Sequence, residues 1–272
     1  MNDLEAMARL INALRPWLAH LVVIGGWAHH LLRYHPDARA PAHEPLHTRD
    51  ADVAFSSSAP LKGDISEALQ LADFQEELRG EHTPPVTRYW LGDADQGFYV
   101  EFVAPRTGDG LRRDGQADAT IAKAGVTAQK LRHVDLLLID PWCLLLDKAI
   151  GFPIAEPANV LVANPVSFIG QRLLIYHQRD PMKRAQDVLY IHDTLELFGH
   201  RLDALRTEWR DRVQPRLAAK TATDIDRSRE AQFGAVTDVI REAARIPQDR
   251  TLRSERMRAT CEYGLERIFD ND

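Results

Sequence analysis

Apolar and polar positions along the chain recur with two periods, and the switches between them mark the expected elements. Residues 3–15 carry Leu4, Met7, Leu10, Ile11 and Leu14 at helical spacing, with Asn2 or Asp3 as cap and Pro16 as the stop. LVVI at 21–24 is short and wholly apolar. It ends at Gly25-Gly26, and Trp27, Leu31 and Tyr34 follow at helical spacing, so the expected order is strand, glycine turn, helix. In DADVAF (50–55) Ala51, Val53 and Phe55 alternate with Asp50 and Asp52, the pattern of a strand buried on one face. DISEALQLADFQEELRG (64–80) reads as one amphipathic helix with Ile65, Leu69, Leu71 and Phe74 inward, Asp64 as cap and Glu67 completing a capping box. Strands are expected near 87–91 and 98–103, joined through GDADQG as a hairpin tip.

Further along, residues 106–127 are rich in Gly, Asp and cations and read as a loop with room for a short helix. HVDLLLID (133–140) reads as a strand, and WCLLLDKAI after it as a strand or short helix. VLVANP (160–165) opens the second half, where Asn164 caps a helix with Pro165 at its first position. Asp180-Pro181 opens the next helix, which Gly199 closes. From His200 onward the pattern is helical, polar and Arg-rich, with TATDIDRSRE (221–230) as a connector. Acids interleave with these arginines, so a solvated helix surface is the plainer reading beside a cationic face for RNA phosphates. The expected architecture is α+β: a core domain of strands and helices over 1–158, then a helical domain over 159–272.

Composition narrows the class without selecting a function. The chain has 272 residues, 44% hydrophobic and 27% charged, as in an ordinary soluble protein with a proper core. No apolar run approaches the length of a membrane span, and the N-terminus is acidic and amphipathic rather than signal-like. Cys143 and Cys261 are lone cysteines without zinc spacing or a disulfide framework, so a cytoplasmic location is expected. A formal charge of −6 argues against a generally basic nucleic-acid binder.

The chemistry gathers between Leu21 and Phe55. Two glycines let a backbone come close to a ligand, and the helix start offers N–H groups to an anion such as phosphate. Asp-x-Asp in an extended segment sets two carboxylates on one face, where they repel unless a cation lies between them. Glu101 sits within the apolar run FYVEFV, an odd place for an unpartnered acid. Asp50, Asp52 and Glu101 on neighbouring strands fit two magnesium ions ~3.5–4 Å apart, the arrangement that stabilises in-line phosphoryl or nucleotidyl transfer. Glu101 paired to an Arg of the sheet is the alternative. Asp93 and Asp95 repeat the D-A-D letters, but between Gly92 and Gly97 they read as turn formers. His35, His43 and His47 invite a zinc reading that no cysteine or known spacing supports, so the stretch 35–47 reads as a mobile loop beside the active site. Arg112, Arg113 and Lys123 are candidate phosphate contacts on a solvated loop. Arg172 interrupts the apolar stripe Phe168, Ile169, Leu173, Tyr176, and needs either Asp187 or a phosphate to face.

Gly25-Gly26, then Thr48-Arg49-Asp50-Ala51-Asp52-Val53, then Glu101 in an apolar strand resemble the nucleotidyltransferase superfamily with the polymerase-beta-type palm, in its AbiEii-like toxin branch. The resemblance covers about 21–103 and 160–198, and it implies that the core is a mixed-sheet palm with flanking helices. It implies that Gly25 and Gly26 face the triphosphate of an NTP and that Asp50, Asp52 and Glu101 hold magnesium. Thr48 supports that site, with Arg49 the nearest cation. In the helical half it implies that Arg172 and Lys183 meet the triphosphate and that Asp187 orients one of them or the acceptor. It further implies transfer of an NMP to a tRNA 3′ end or a protein hydroxyl, and a cognate antitoxin as partner. Leu46 and Arg172 stand where the branch usually has Arg and Lys. Those departures favour the alternative, a catalytically inactive nucleotide- or partner-binding module on the same fold. A serine- or cysteine-type hydrolase lacks any nucleophile-elbow sequence.

Overall fold

The computed structural model describes residues 2–39, 41–57, 59–81, 83–93, 97–106, 108 and 118–270. Asp95, Arg112 and Arg113 therefore lie outside the described residues. The chain forms two compact units: residues 1–34 with 48–163, and residues 35–47 with 164–272.

The first unit opens with α1 (Asp3–Ala13), capped by Asn2 through a full capping box with Glu5. A 3-10 turn over Arg15–His20 leads into β1 (Leu21–Ile24), which is buried at every position and runs directly into α2 (Gly25–Leu32). β2 (Asp50–Phe55) follows, then α3 (Ile65–Leu71), β3 (Gln75–Arg79), β4 (Val86–Leu91) and β5 (Phe98–Pro105). β6 (Thr120–Lys123), β7 (Val126–Leu131), α4 (Val134–Leu137), β8 (Trp142–Leu146) and β9 (Ala158–Val162) complete it. The strands make one mixed sheet in the order β3-β4-β5-β2-β1-β9-β8, with the β6–β7 hairpin joined to β5 through β7. β2 pairs antiparallel with β1 and parallel with β5. The expected domain boundary after residue 158 would cut β9, which pairs parallel with β1 inside this sheet.

Three expectations fail here for physical reasons. The 64–80 segment is a short helix and then a strand. Leu71, counted on the inward stripe, is 81% exposed, Asp73 adopts a left-handed conformation (φ 63°), and QEELR pairs antiparallel with β4. The run 133–140 is one helical turn. His133 and Asp140 bound it with left-handed φ of 62° and 48°, and an apolar run this short does not distinguish a strand from a buried helical turn by periodicity. Part of the expected loop at 106–127 is the β6–β7 hairpin, whose two-residue turn, Ala124-Gly125, has positive φ at both positions. That conformation matches a hairpin turn usually written with Asn or Asp before Gly.

The second unit is helical. α5 (Pro165–Ile175) is capped by Asn164, whose side chain accepts from Ser167 N–H. α6 (Pro181–Phe198) is capped by Asp180 and ends at Gly199. α7 (Leu202–Glu208), α8 (Ala219–Phe233), α9 (Asp238–Arg245) and α10 (Ser254–Phe269) follow. The expected connector 221–230 lies within α8, since Ile225 and Ser228 are buried and the Ser228 hydroxyl donates to Leu173 O at 2.5 Å. The described residues of 35–47, a stretch expected to be mobile, are pinned to this unit. Arg39 N–H donates to Leu197 O (2.9 Å), Glu44 N–H to the Asp249 carboxylate (2.8 Å), and Asp37 pairs with Arg201 (2.9 Å). Among the described residues no helix is long and apolar enough to cross a membrane.

Candidate active site

The parallel pairing of β2 with β5 decides where the acids go. Asp52 is the cross-strand neighbour of Glu101, and Asp50 of Tyr99. Ala51, Val53, Val100 and Phe102 are fully buried, whereas Asp50, Asp52, Tyr99 and Glu101 are half-buried. Because strand side chains alternate, these four share the face opposite the core. Three carboxylates separated by up to about fifty positions in sequence thus become neighbours on two strands.

Gly25 closes one side of this group. Ile24, at the end of β1, pairs with Asp52, so Gly25 follows the strand end beside that aspartate. Gly25 has φ of +66°, where L side chains are rare. A Cβ built there would collide with Asp52 Oδ2 and lie 3.2 Å from its Cγ. The absent side chain is the space the aspartate carboxylate uses. Gly26 continues the first turn of α2.

Each carboxylate has identifiable surroundings. The Thr48 hydroxyl donates to Asp50 Oδ1. Arg88 of β4 is the cross-strand neighbour of Glu101, and its Nε lies 3.3 Å from Glu101 Oε1. The Arg88 Cζ also lies 3.5 Å from the centre of the Tyr99 ring. Burial, and next the Asp50 charge, push the Tyr99 phenol above its ordinary pKa. Arg49 is exposed, and its carbonyl accepts from Tyr99 N–H at 3.0 Å. The donor set is all oxygen, anionic and held on a sheet, which suits a hard divalent cation such as magnesium. The space kept at Gly25 supports the same reading, because it lets backbone and carboxylate approach one another.

Arg88 was not among the candidates from sequence, although a signal existed. Once 98 is opposed to 91 across the GDADQG tip, counting back places 88 opposite 101.

In the second unit Arg172 and Asp187 meet. Arg172 Nε is 3.5 Å from Asp187 Oδ1, with side-chain exposures of 4% and 5%, and Arg179 Nε is 3.1 Å from Asp187 Oδ2. The Arg172 guanidinium also lies over Phe168 at 3.5 Å and near Tyr190 at 4.9 Å. Lys183, in the first turn of α6, is exposed, and its backbone N–H donates to the Asp180 cap.

Among the described residues one group has all its ligand atoms at metal-like spacing, and it lies in the second unit rather than among the sheet acids. Ligand atoms of His43, Asp193 and Glu196 all lie within 4.8 Å of one another. A cation already serves it: Arg250 donates to both Asp193 oxygens (2.7 and 2.6 Å), donates to His43 Nε2, and lies 3.5 Å from Glu196. Of the three histidines in the expected loop, His43 is thus part of an arginine-centred ion network. His35 packs against Phe198 with its pKa lowered, first by burial.

Comparison with known proteins bears on the whole chain. No curated protein matches it significantly. Among solved structures it resembles MenT4, a nucleotidyltransferase toxin from Mycobacterium tuberculosis H37Rv. The TM-score is 0.40 at 13% identity, over 99% of this chain and 84% of that one. So loose a likeness decides neither fold nor function. The decisive match is to a family profile described as nucleotidyltransferase, which spans residues 2–214 and so takes in the whole sheet, the glycine turn and the helices through α7. On that match the chain belongs to a family of nucleotidyltransferases.

Proposed function

We propose that this nucleotidyltransferase is magnesium-dependent and moves an NMP from an NTP to an acceptor hydroxyl at a tRNA 3′ end or on a protein. The observation that carries the reading is the shared face of Asp50, Asp52 and Glu101, with Gly25 against Asp52. Asp50, Asp52 and Glu101 would hold two magnesium ions, which when bound supply Lewis-acid stabilisation of the phosphates and the attacking oxygen. Gly25 and Gly26 present backbone N–H groups at the start of α2 to the triphosphate. Arg49 is the cation proposed for the phosphates beside these acids, and the family resemblance adds Arg172 and Lys183 as phosphate-binding residues. Thr48 orients Asp50, and Asp187 orients Arg172.

In the transfer the acceptor oxygen forms a bond to the α-phosphorus, and the bond to the bridging β-phosphate oxygen breaks. Pyrophosphate leaves with those electrons, and the hydroxyl proton passes to a carboxylate, for which Glu101 is the candidate. The AbiEii-like resemblance extends the proposal to the toxin of a toxin–antitoxin pair acting in the cytoplasm, with an antitoxin as partner. A second reading, a nucleotide- or partner-binding module without turnover, is favoured by one observation. Glu101 and Arg172 already have protein partners, in Arg88 and Asp187.

One experiment separates these readings. The protein and its Asp50→Ala/Asp52→Ala variant are incubated with each labelled NTP, magnesium and total tRNA or cell lysate. Label transferred by the wild type alone is the expected outcome. Nucleotide bound by the wild type with no label transferred would favour the module.

A further inference from the structure

The strand registers arrange the polar face of the sheet in rungs. One rung runs Asp52, Glu101, Arg88, Glu77 across β2, β5, β4 and β3, and the next runs Asp50, Tyr99, Trp90, Gln75. Arg88 therefore stands one strand beyond the third carboxylate, on the same face. Its side chain is 14% exposed, against 33% for Glu101. Its flat guanidinium rests on the Tyr99 ring, 3.5 Å from Cζ to ring centre, which limits how far it can follow Glu101. Arg88 Nε lies 3.3 Å from Glu101 Oε1 without forming a hydrogen bond, so the pair is held by charge. The next acid on the rung, Glu77, has its own cation in Arg79 at 3.0 Å.

We propose that Arg88 is a positioning residue for the divalent-cation site: it orients the Glu101 carboxylate on the face that strand register gives it with Asp50 and Asp52, and its charge limits how tightly that site takes the cation. The proposal rests on the reading of those three acids as metal ligands. Three neighbouring carboxylates repel one another, and Arg88 offsets one of their charges when no cation is bound. A divalent cation arriving at the carboxylates then meets the fixed positive charge one strand away. Removing Arg88 has two effects of opposite sign: the cation binds more tightly, and Glu101 is less well placed for transfer. A purely structural role predicts that binding and turnover weaken together.

The test titrates full-length, nucleotide-free protein with Mn2+, reading the free ion by electron paramagnetic resonance. Wild type is compared with Arg88→Met, Arg88→Gln, Arg88→Lys and Asp50→Ala/Asp52→Ala, each checked for native circular dichroism and melting. Arg88→Met binds Mn2+ about tenfold more tightly, the scale expected for a unit charge a strand away from a divalent ion at an effective dielectric close to that of water. Arg88→Gln does the same and replaces it if the Met variant fails to fold. Arg88→Lys retains the wild-type affinity because it keeps the charge. In transfer assays the Met and Gln variants have a lower kcat and reach half-maximal rate at a lower metal concentration. Unchanged or weaker Mn2+ binding by folded Met or Gln variants overturns the proposal, as does a Lys variant that binds as they do. Undiminished Mn2+ binding by Asp50→Ala/Asp52→Ala instead overturns the metal-site reading, so the two failures are distinguishable.

Discussion

Gly25 is the residue whose substitution should separate site geometry from stability. Its φ of +66° costs a non-glycine residue about 1–2 kcal/mol, and the added Cβ would occupy the place of Asp52 Oδ2. Gly25→Ala is therefore expected to lower transfer by about a hundredfold, the scale of a 1 Å misplacement of a reacting group. Its melting temperature should fall by only a few degrees. A transfer rate within threefold of wild type would show that Asp52 does not need that space. The chemistry at this scale was open to inspection in the sequence, because Gly-Gly and Asp-x-Asp declare themselves by residue type and spacing. Arg88 did not declare itself. One arginine among 34 lysines and arginines means nothing until a register sets it beside Glu101. The same holds for Arg172, where the apolar stripe said that a partner was required and the fold brought Asp187 beside it.

Among the elements, Arg250 adds a buried ionic anchor to the bonds that hold the described residues of 35–47. Arg250 donates twice to Asp193, which is 2% exposed, and also to His43, while Glu44 is tied to Asp249. Taking away the arginine leaves a buried carboxylate without its bidentate partner, and such a loss is strongly destabilising locally. Arg250→Met is expected to raise hydrogen exchange at least tenfold across 39–47 and around Asp193, with little change in β2 or β5. Mass spectrometry of peptic peptides measures this, and unchanged protection at 39–47 would refute the pinning role. Elements with a long, regular apolar stripe, such as α1, α5 and α6, could be read from the chain. The α3–β3 segment could not. Its helical stripe ran on through Leu71 and Phe74, yet Asp73 turns the backbone and antiparallel pairing with β4 recruits QEELR as a strand. Where a segment has a β-edge waiting for it, tertiary hydrogen bonds override a local helical pattern.

For the whole molecule the two cysteines report how tightly the fold is closed. Cys143 is exposed on β8, whereas Cys261 is 0% exposed in α10. Its thiol pKa is raised well above the ordinary value, first by burial and then by the charges of Asp193 and Glu196. One thiol should react with a thiol-specific reagent in the native protein and two in denaturant, with Cys261 reacting only as the surrounding helices open. Two fast thiols in the native state would contradict this packing. The sign of the linkage follows. With the folded pKa above the unfolded one, the contribution to stability is intact below the unfolded thiol pKa and declines as pH rises past it. By itself the sequence determined most of the strands and helices, the acid pair beside the glycine turn and the helical second half, because these follow from residue type, spacing and periodicity along one dimension; the mixed sheet and the nucleotidyl chemistry rested on the family resemblance. Only the tertiary structure decided which acids are neighbours, which arginine stands beside Glu101, and that the histidine loop closes on Arg250. Those facts depend on strand register and on burial between distant segments, and no local pattern encodes either.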